Sequence, residues 1–194
     1  MIRTTQDDAR ENEQIRLLGL TPLQGRSNKY IPDATLIVDG EINHIELKTS
    51  DLVKKQVSTA RNVTLPKIEE WGKVWWVFSQ YEKIEGGFRF TGEHFAAHGT
   101  DLEEWFENQR EKILGGTKTY GGLRDWEQAK QLLQEHAALP AATIQKLDSS
   151  FHKKGCGLND PKIGWRTVEK LCVKLGNDNL QEGLVSLIRS RNRA

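Results

Sequence analysis

Asp33, Glu46 and Lys48 are the residues of this chain whose types and spacing could do chemistry together. They lie in the stretch IPDATLIVDGEINHIELKTS, where two β-rich runs flank Asp39-Gly40, a dipeptide that closes two-residue hairpins. With Asp39-Gly40 as a type I′ turn, Val38 faces Glu41, Ile37 faces Ile42, Thr35 faces His44 and Asp33 faces Glu46. Side chains directly opposed across such a pair have Cβ atoms roughly 4.5–5.5 Å apart. Alternation along the strand then puts Lys48 on the Glu46 face. The spacing predicts two carboxylates and one ammonium gathered on a single patch, on a solvated face of the hairpin.

Two carboxylates this close repel, and a divalent cation between them removes the repulsion. Mg²⁺ takes one or two protein carboxylates and fills its remaining positions with water and phosphate oxygens, which matches this patch; Mn²⁺ can stand in for it. The Leu47 carbonyl is a candidate further ligand. Glu11 or Glu13, on the helix expected near the N-terminus, could also reach the metal, and Glu13 is the favoured one; otherwise both compensate the helix dipole from the surface. Such an ion polarises a phosphoryl oxygen and acidifies water, while Lys48 can stabilise charge growing on the phosphorus centre. Glu-x-Lys alone carries little weight, since such pairs abound on ordinary exposed hairpins. Pro-Asp, the tight turn and the cross-strand register carry the reading together. His44, on the Glu46 face, either supports this site or is a solvated histidine.

Around the hairpin, residues 5–19 read as a helix with acidic first turns, Arg16 near its end and Gly19 as its stop. A loop leads to Pro32. Residues 66–71 form a short helical turn, and 73–81 (KVWWVFSQY) a buried strand dense in aromatic and β-branched residues. Gly86-Gly87 turns the chain into a strand at 88–92, followed by a loop from 93. A helix at 101–114 carries Leu102, Trp105, Phe106 and Ile113 as an apolar stripe. Another amphipathic helix is expected at 125–138. A glycine-rich loop spans 153–165, a helix runs from Thr167 to Leu175, and the basic tail from Gln181 is helical. The six tryptophans belong to the core. With no repeat and no low-complexity linker, 1–194 reads as a single domain. Residues 1–24 are a candidate dimerisation element and 150–194 a C-terminal loop with helices.

The hairpin residues resemble those of the PD-(D/E)xK nuclease superfamily. The stretches STARNVTLPKIEEWGKVWWVFSQY and NDPKIGWRTVEKLCVKLG are similar in spacing to PvuII-like Type II restriction endonucleases. The resemblance covers roughly residues 25–175. It implies an α/β (α+β) fold with a central mixed β-sheet flanked by helices, a homodimer that clamps double-stranded DNA, and Mg²⁺-dependent cleavage of phosphodiester bonds. This chain departs from those relatives at three places. Ser27-Asn28-Lys29 stands where they carry an extra glutamate, Trp71 where they have a tyrosine near the site, and Ala60-Arg61-Asn62 where base-reading histidines lie. The recognition sequence is therefore not carried over.

Recognition must come from a local surface, because 28 basic and 27 acidic residues leave a net charge of only +1. Ser58, Thr59, Arg61, Asn62 and Thr64 form a polar stretch close behind the catalytic strand. Arginine and asparagine fit guanine and adenine edges bidentately, so these residues are the candidate base readers. His152, Lys153, Lys154, Lys162 and Arg166 are candidate phosphate contacts, which position a protein without specifying sequence. Cys156 and Cys172 lack metal-type spacing and read as reduced thiols. Neither an apolar leader nor an apolar run of about 20 residues is present, so the expectation is a cytoplasmic protein with no membrane partner. Two rivals share the data: a repair or junction-resolving nuclease built on the same centre, and a non-catalytic DNA-binding protein.

Overall fold

The computed structural model of the chain describes residues 6–23, 32–60, 63–115, 158, 160–176 and 178–193. Arg61, Asn62, Lys153, Lys154, His152, Cys156 and the helix expected at 125–138 lie outside them.

The hairpin forms as its turn chemistry requires. Asp39 and Gly40 both take positive φ, 52° and 86°, the type I′ signature. Strand β2 (Ala34–Val38) pairs antiparallel with β3 (Glu41–Asp51) in the expected register, Val38 with Glu41 and Thr35 with His44. Strand β1 (Thr21–Pro22) adds to the outer edge of β2. On its other side β3 runs parallel to β5 (Trp75–Ile84), Glu46 level with Trp76 and Lys48 level with Phe78. Every residue from Val74 to Tyr81 is buried. A strand covered on both faces reads as a continuous apolar run instead of an alternating one, as this one does.

β5 pairs antiparallel with β6 (Gly87–His98), and β6 with β8 (Val173–Lys174). Off this path, β4 (Gln56–Ser58) pairs with the end of β3 and with β7 (Lys162–Gly164). Among the described residues the result is a mixed sheet of eight strands with five helices, an α+β fold. Helix α1 (Gln6–Leu18) ends on Gly19 at φ 59°. Helices α2 (Leu65–Trp71), α3 (Glu103–Gly115), α4 (Trp165–Leu171) and α5 (Leu180–Asn192) follow.

Two compact units account for the chain. The first is drawn from Met1–Thr59, Trp71–Leu102 and Lys162–Ala194, and holds the sheet. Its core joins Ala34, Leu36, Ile45, Leu47 and Val77 of the strands to Leu18 of α1 and Leu184 and Ile188 of α5. The second is drawn from Ala60–Glu70 and Glu103–Pro161, and contains α3 and most of α2. There Val63 and Leu158 exchange two backbone hydrogen bonds of 2.8 Å, and Phe106 and Ile113 are buried.

Several local expectations are corrected. The loop expected from residue 93 is strand: β6 passes through a register shift opposite Ser79–Tyr81, with Gly92 at φ 86°, and continues to His98. Gly92 is thus a bulge residue and not a stop. The helix expected to reach Leu175 ends at Leu171, because Cys172 turns extended (φ −111°, ψ 154°) and Val173–Lys174 pairs with the edge of β6. The glycine-rich loop contains β7, and residues 56–58 are a strand. No helix among the described residues is long and apolar enough to cross a membrane.

Candidate active site

Asp33 stands one residue ahead of β2, and the ladder fixes it there. Its N–H donates to the Ile45 carbonyl (3.1 Å), and its Oδ2 accepts from the Leu47 N–H (2.8 Å). Glu46 and Lys48, two apart on β3, project to the same face. Lys48 Nζ lies 2.7 Å from Glu46 Oε1, 3.7 Å from Asp33 Oδ2, and donates to the Leu47 carbonyl at 3.0 Å. The ammonium also stands 5.9 Å from the centre of the Trp76 ring. The three oxygen donors expected to hold a cation, from Asp33, Glu46 and Leu47, therefore converge on one positive charge.

The site is sheltered, which corrects the expected solvated face. The side chains of Glu46, Lys48 and Asp33 are only 5%, 11% and 18% exposed. Trp76 and Trp71 pack edge to face at 5.0 Å nearby, and the Trp76 indole N–H donates to the Trp71 carbonyl. Burial acts to strip the proton from Lys48, but Glu46 and Asp33 outweigh it and hold its pKa above the ordinary lysine value. Lys48 stays an ammonium.

Helix α1 holds the back of β3 through buried polar groups four residues apart, Arg10 and Gln14, in line with Leu18. Gln14 Nε2 donates to the Lys48 carbonyl (3.2 Å) and to Ser79 Oγ (2.8 Å), and Ser79 Oγ lies 2.9 Å from His94 Nδ1. Gln14, Ser79 and His94 are all buried, so this chain of bonds fixes the main chain at Lys48 against α1, β5 and β6. Burial lowers the His94 pKa, with Glu93 opposing.

Of the two helix glutamates, Glu11 lines the same hollow as Leu47 and Lys48. Glu13 lines a different one, beside Phe88, Phe90 and His94, and is held by the Arg16 guanidinium at 2.6 and 2.9 Å, which lowers its pKa. Among the candidate DNA contacts, Ser58 and Thr59 line the hollow with Lys48, and Lys162 Nζ donates to Ser58 Oγ at 2.6 Å across the β4–β7 pair. Arg166 is exposed on α4, whereas Thr64 is buried within the second unit. His44 is exposed opposite Thr35. Sequence reasoning did not single out Arg10, Gln14, Ser79 or Tyr81. Their signal was polar residues at helical spacing with Leu18 and a Ser-Gln pair inside an apolar strand.

Among the described residues, no group of three or more His, Cys, Asp or Glu side chains gathers to hold a metal. Two carboxylates and a main-chain carbonyl do not make a closed zinc cage. They do suit Mg²⁺, which keeps several waters and needs few protein ligands. Compared with known proteins, the chain matches no described family, and no curated protein matches it.

Proposed function

We propose that the chain is a metal-dependent endonuclease, a Type II restriction enzyme that hydrolyses phosphodiester bonds of double-stranded DNA at a short site as a homodimer. The observation that carries this reading is the convergence of Asp33, Glu46 and the Leu47 carbonyl around Lys48 Nζ. Asp33, Glu46 and the Leu47 carbonyl would hold Mg²⁺, with Mn²⁺ able to replace it. Bound there, the ion would supply positive charge that polarises the phosphoryl group and acidifies water. Lys48, kept charged, would donate to the non-bridging oxygens as negative charge builds on them. The Leu47 N–H holds Asp33 in place and the Gln14 amide holds the Lys48 main chain, so the framework is set before the reaction, while the Lys48 ammonium, which stands where the three oxygens meet, would swing aside as the ion enters. The low exposure of the site strengthens each of these electrostatic interactions.

A homodimer matches the reading because two sites related by a two-fold axis suit a palindromic duplex. Plasmid digestion tests it. Discrete, reproducible bands are expected with Mg²⁺ or Mn²⁺, none with chelator, and binding without cutting in Ca²⁺. Undiminished cutting in excess chelator would overturn metal dependence. Cutting confined to branched DNA would move the chain to the junction-resolving class.

A further inference from the structure

Resting on the nuclease reading, we propose that Arg10 binds a backbone phosphate of the DNA strand next to the one cleaved, in the hollow that opens beside Lys48. The hollow has a volume of about 400 Å³, and its lining includes Arg10, Lys48, Lys54, Gln56, Ser58 and Thr59. Cationic, amide and hydroxyl donors thus border one cleft at the carboxyl end of the parallel β3–β5 pair, the end where open α/β sheets take their ligands.

Asp51, one of the two carboxylates of the lining, is already held by its own contacts. Asp51 Oδ1 accepts the Val53 N–H at 2.9 Å, Asp51 Oδ2 lies 3.4 Å from Lys83 Nζ, and these contacts hold its carboxyl below the usual range. Glu11 is the other carboxylate of the lining. At the far rim, Lys162 Nζ on Ser58 Oγ continues the positive lining outward along β4 and β7.

Arg10 is built into this wall. It is 8% exposed, and its guanidinium carbon lies 4.3 Å from the centre of the Tyr81 ring. The Tyr81 ring beside the guanidinium carbon limits where the group can go, and a guanidinium carries the planar fork of N–H donors that fits phosphate oxygens. A lysine ammonium has no such planar fork. The ligand class that fits is therefore a phosphodiester of a polyanion, held by Arg10 with help from Lys54 and the Ser58 and Thr59 hydroxyls.

The test measures binding of a mixed-sequence duplex in Ca²⁺, across salt from about 50 to about 200 mM, for wild type, Arg10→Gln, Arg10→Lys and the distant control Arg89→Gln. Arg10→Gln should weaken binding about tenfold or more at the low-salt end. It should also flatten the slope of log Kd against log salt by about one. A merely structural loss scales affinity but leaves that slope alone. Arg10→Lys should keep the slope and lose affinity, because it retains the charge without the fork, and Arg89→Gln should change neither. An Arg10→Gln protein with the wild-type slope overturns the inference while leaving the nuclease reading intact. If Arg10→Gln does not fold, Arg10→Lys decides, and wild-type affinity in that variant overturns the inference. Wild-type chain that neither binds nor cuts DNA overturns both.

Discussion

Lys48 occupies the place where three oxygens meet, so removing it has two separable effects. Lys48→Met leaves Asp33 and Glu46 facing each other in a sheltered site, and breaking a buried pair in this way costs about 3–5 kcal/mol. Chemical denaturation checks it; a variant as stable as wild type would show the ion pair to be neutral for folding. The pH dependence has a definite sign. The folded-state pKa of Lys48 is raised, so its contribution is fully present below the unfolded value of about 10.4 and is lost as pH climbs through the folded value. Wild type should therefore lose stability above about pH 10 more steeply than Lys48→Met. His94 has the opposite sense. Its pKa is lowered by burial, so its contribution is present above about 6.5 and is lost as pH falls below that. Replacing it with asparagine should flatten the acid limb of the stability curve. Cys172, pushed up to about 12 by burial and Asp101, should react with an alkylating reagent at pH 8 far more slowly folded than unfolded. The Asp33–Glu46–Lys48 set was legible because residue type and spacing alone place it. Arg10 and Gln14 were not, since a polar residue on a helix reads as surface until the sheet that buries it is known.

The hairpin shows why some elements can be read locally. Its turn needs two residues at positive φ, Asp39-Gly40 supplies them, and the register follows without reference to the rest of the chain. Gly40→Ala should cost about 1–2 kcal/mol from the left-handed backbone alone, because open space surrounds a Cβ there. Gly99→Ala should cost more, since its Cβ would overlap the Trp71 carbonyl and the Gly72 main chain. Equal losses at the two positions would contradict that difference. The short strands β4, β7 and β8 escaped because each is two or three residues long and has a partner distant in sequence, as Ser58 pairs with Lys162. Gly92 misled in the other direction. A glycine there looks like a turn in sequence, but its positive φ serves a bulge that lets β6 carry His94 to Ser79.

At the scale of the whole molecule, the mixed sheet puts the hairpin, α1 and β5 around one site, and the expected class of fold is present. The helix expected at 101–114 was legible from its apolar stripe, whereas the division into two units was not, because no composition shift or linker marks it. If Asp33 and Glu46 hold Mg²⁺ in the folded state only, adding it should raise the melting temperature, by roughly 2–4 °C for each kcal/mol of binding. Asp33→Asn should abolish that rise, and a rise unchanged in this variant would place the ion elsewhere. Sedimentation of the wild-type chain at micromolar concentration should give twice the chain mass; a monomer with and without DNA would remove the dimer from the proposal. The most direct test of the central claim is the single-turnover cleavage rate of plasmid DNA in Mg²⁺ for wild type, Asp33→Asn and Lys48→Met, each confirmed folded. Wild type should cut, and each variant should lose roughly 10²–10³-fold or more of the rate. Cleavage by either variant at the wild-type rate, or none by the folded wild type in Mg²⁺ or Mn²⁺, would contradict it.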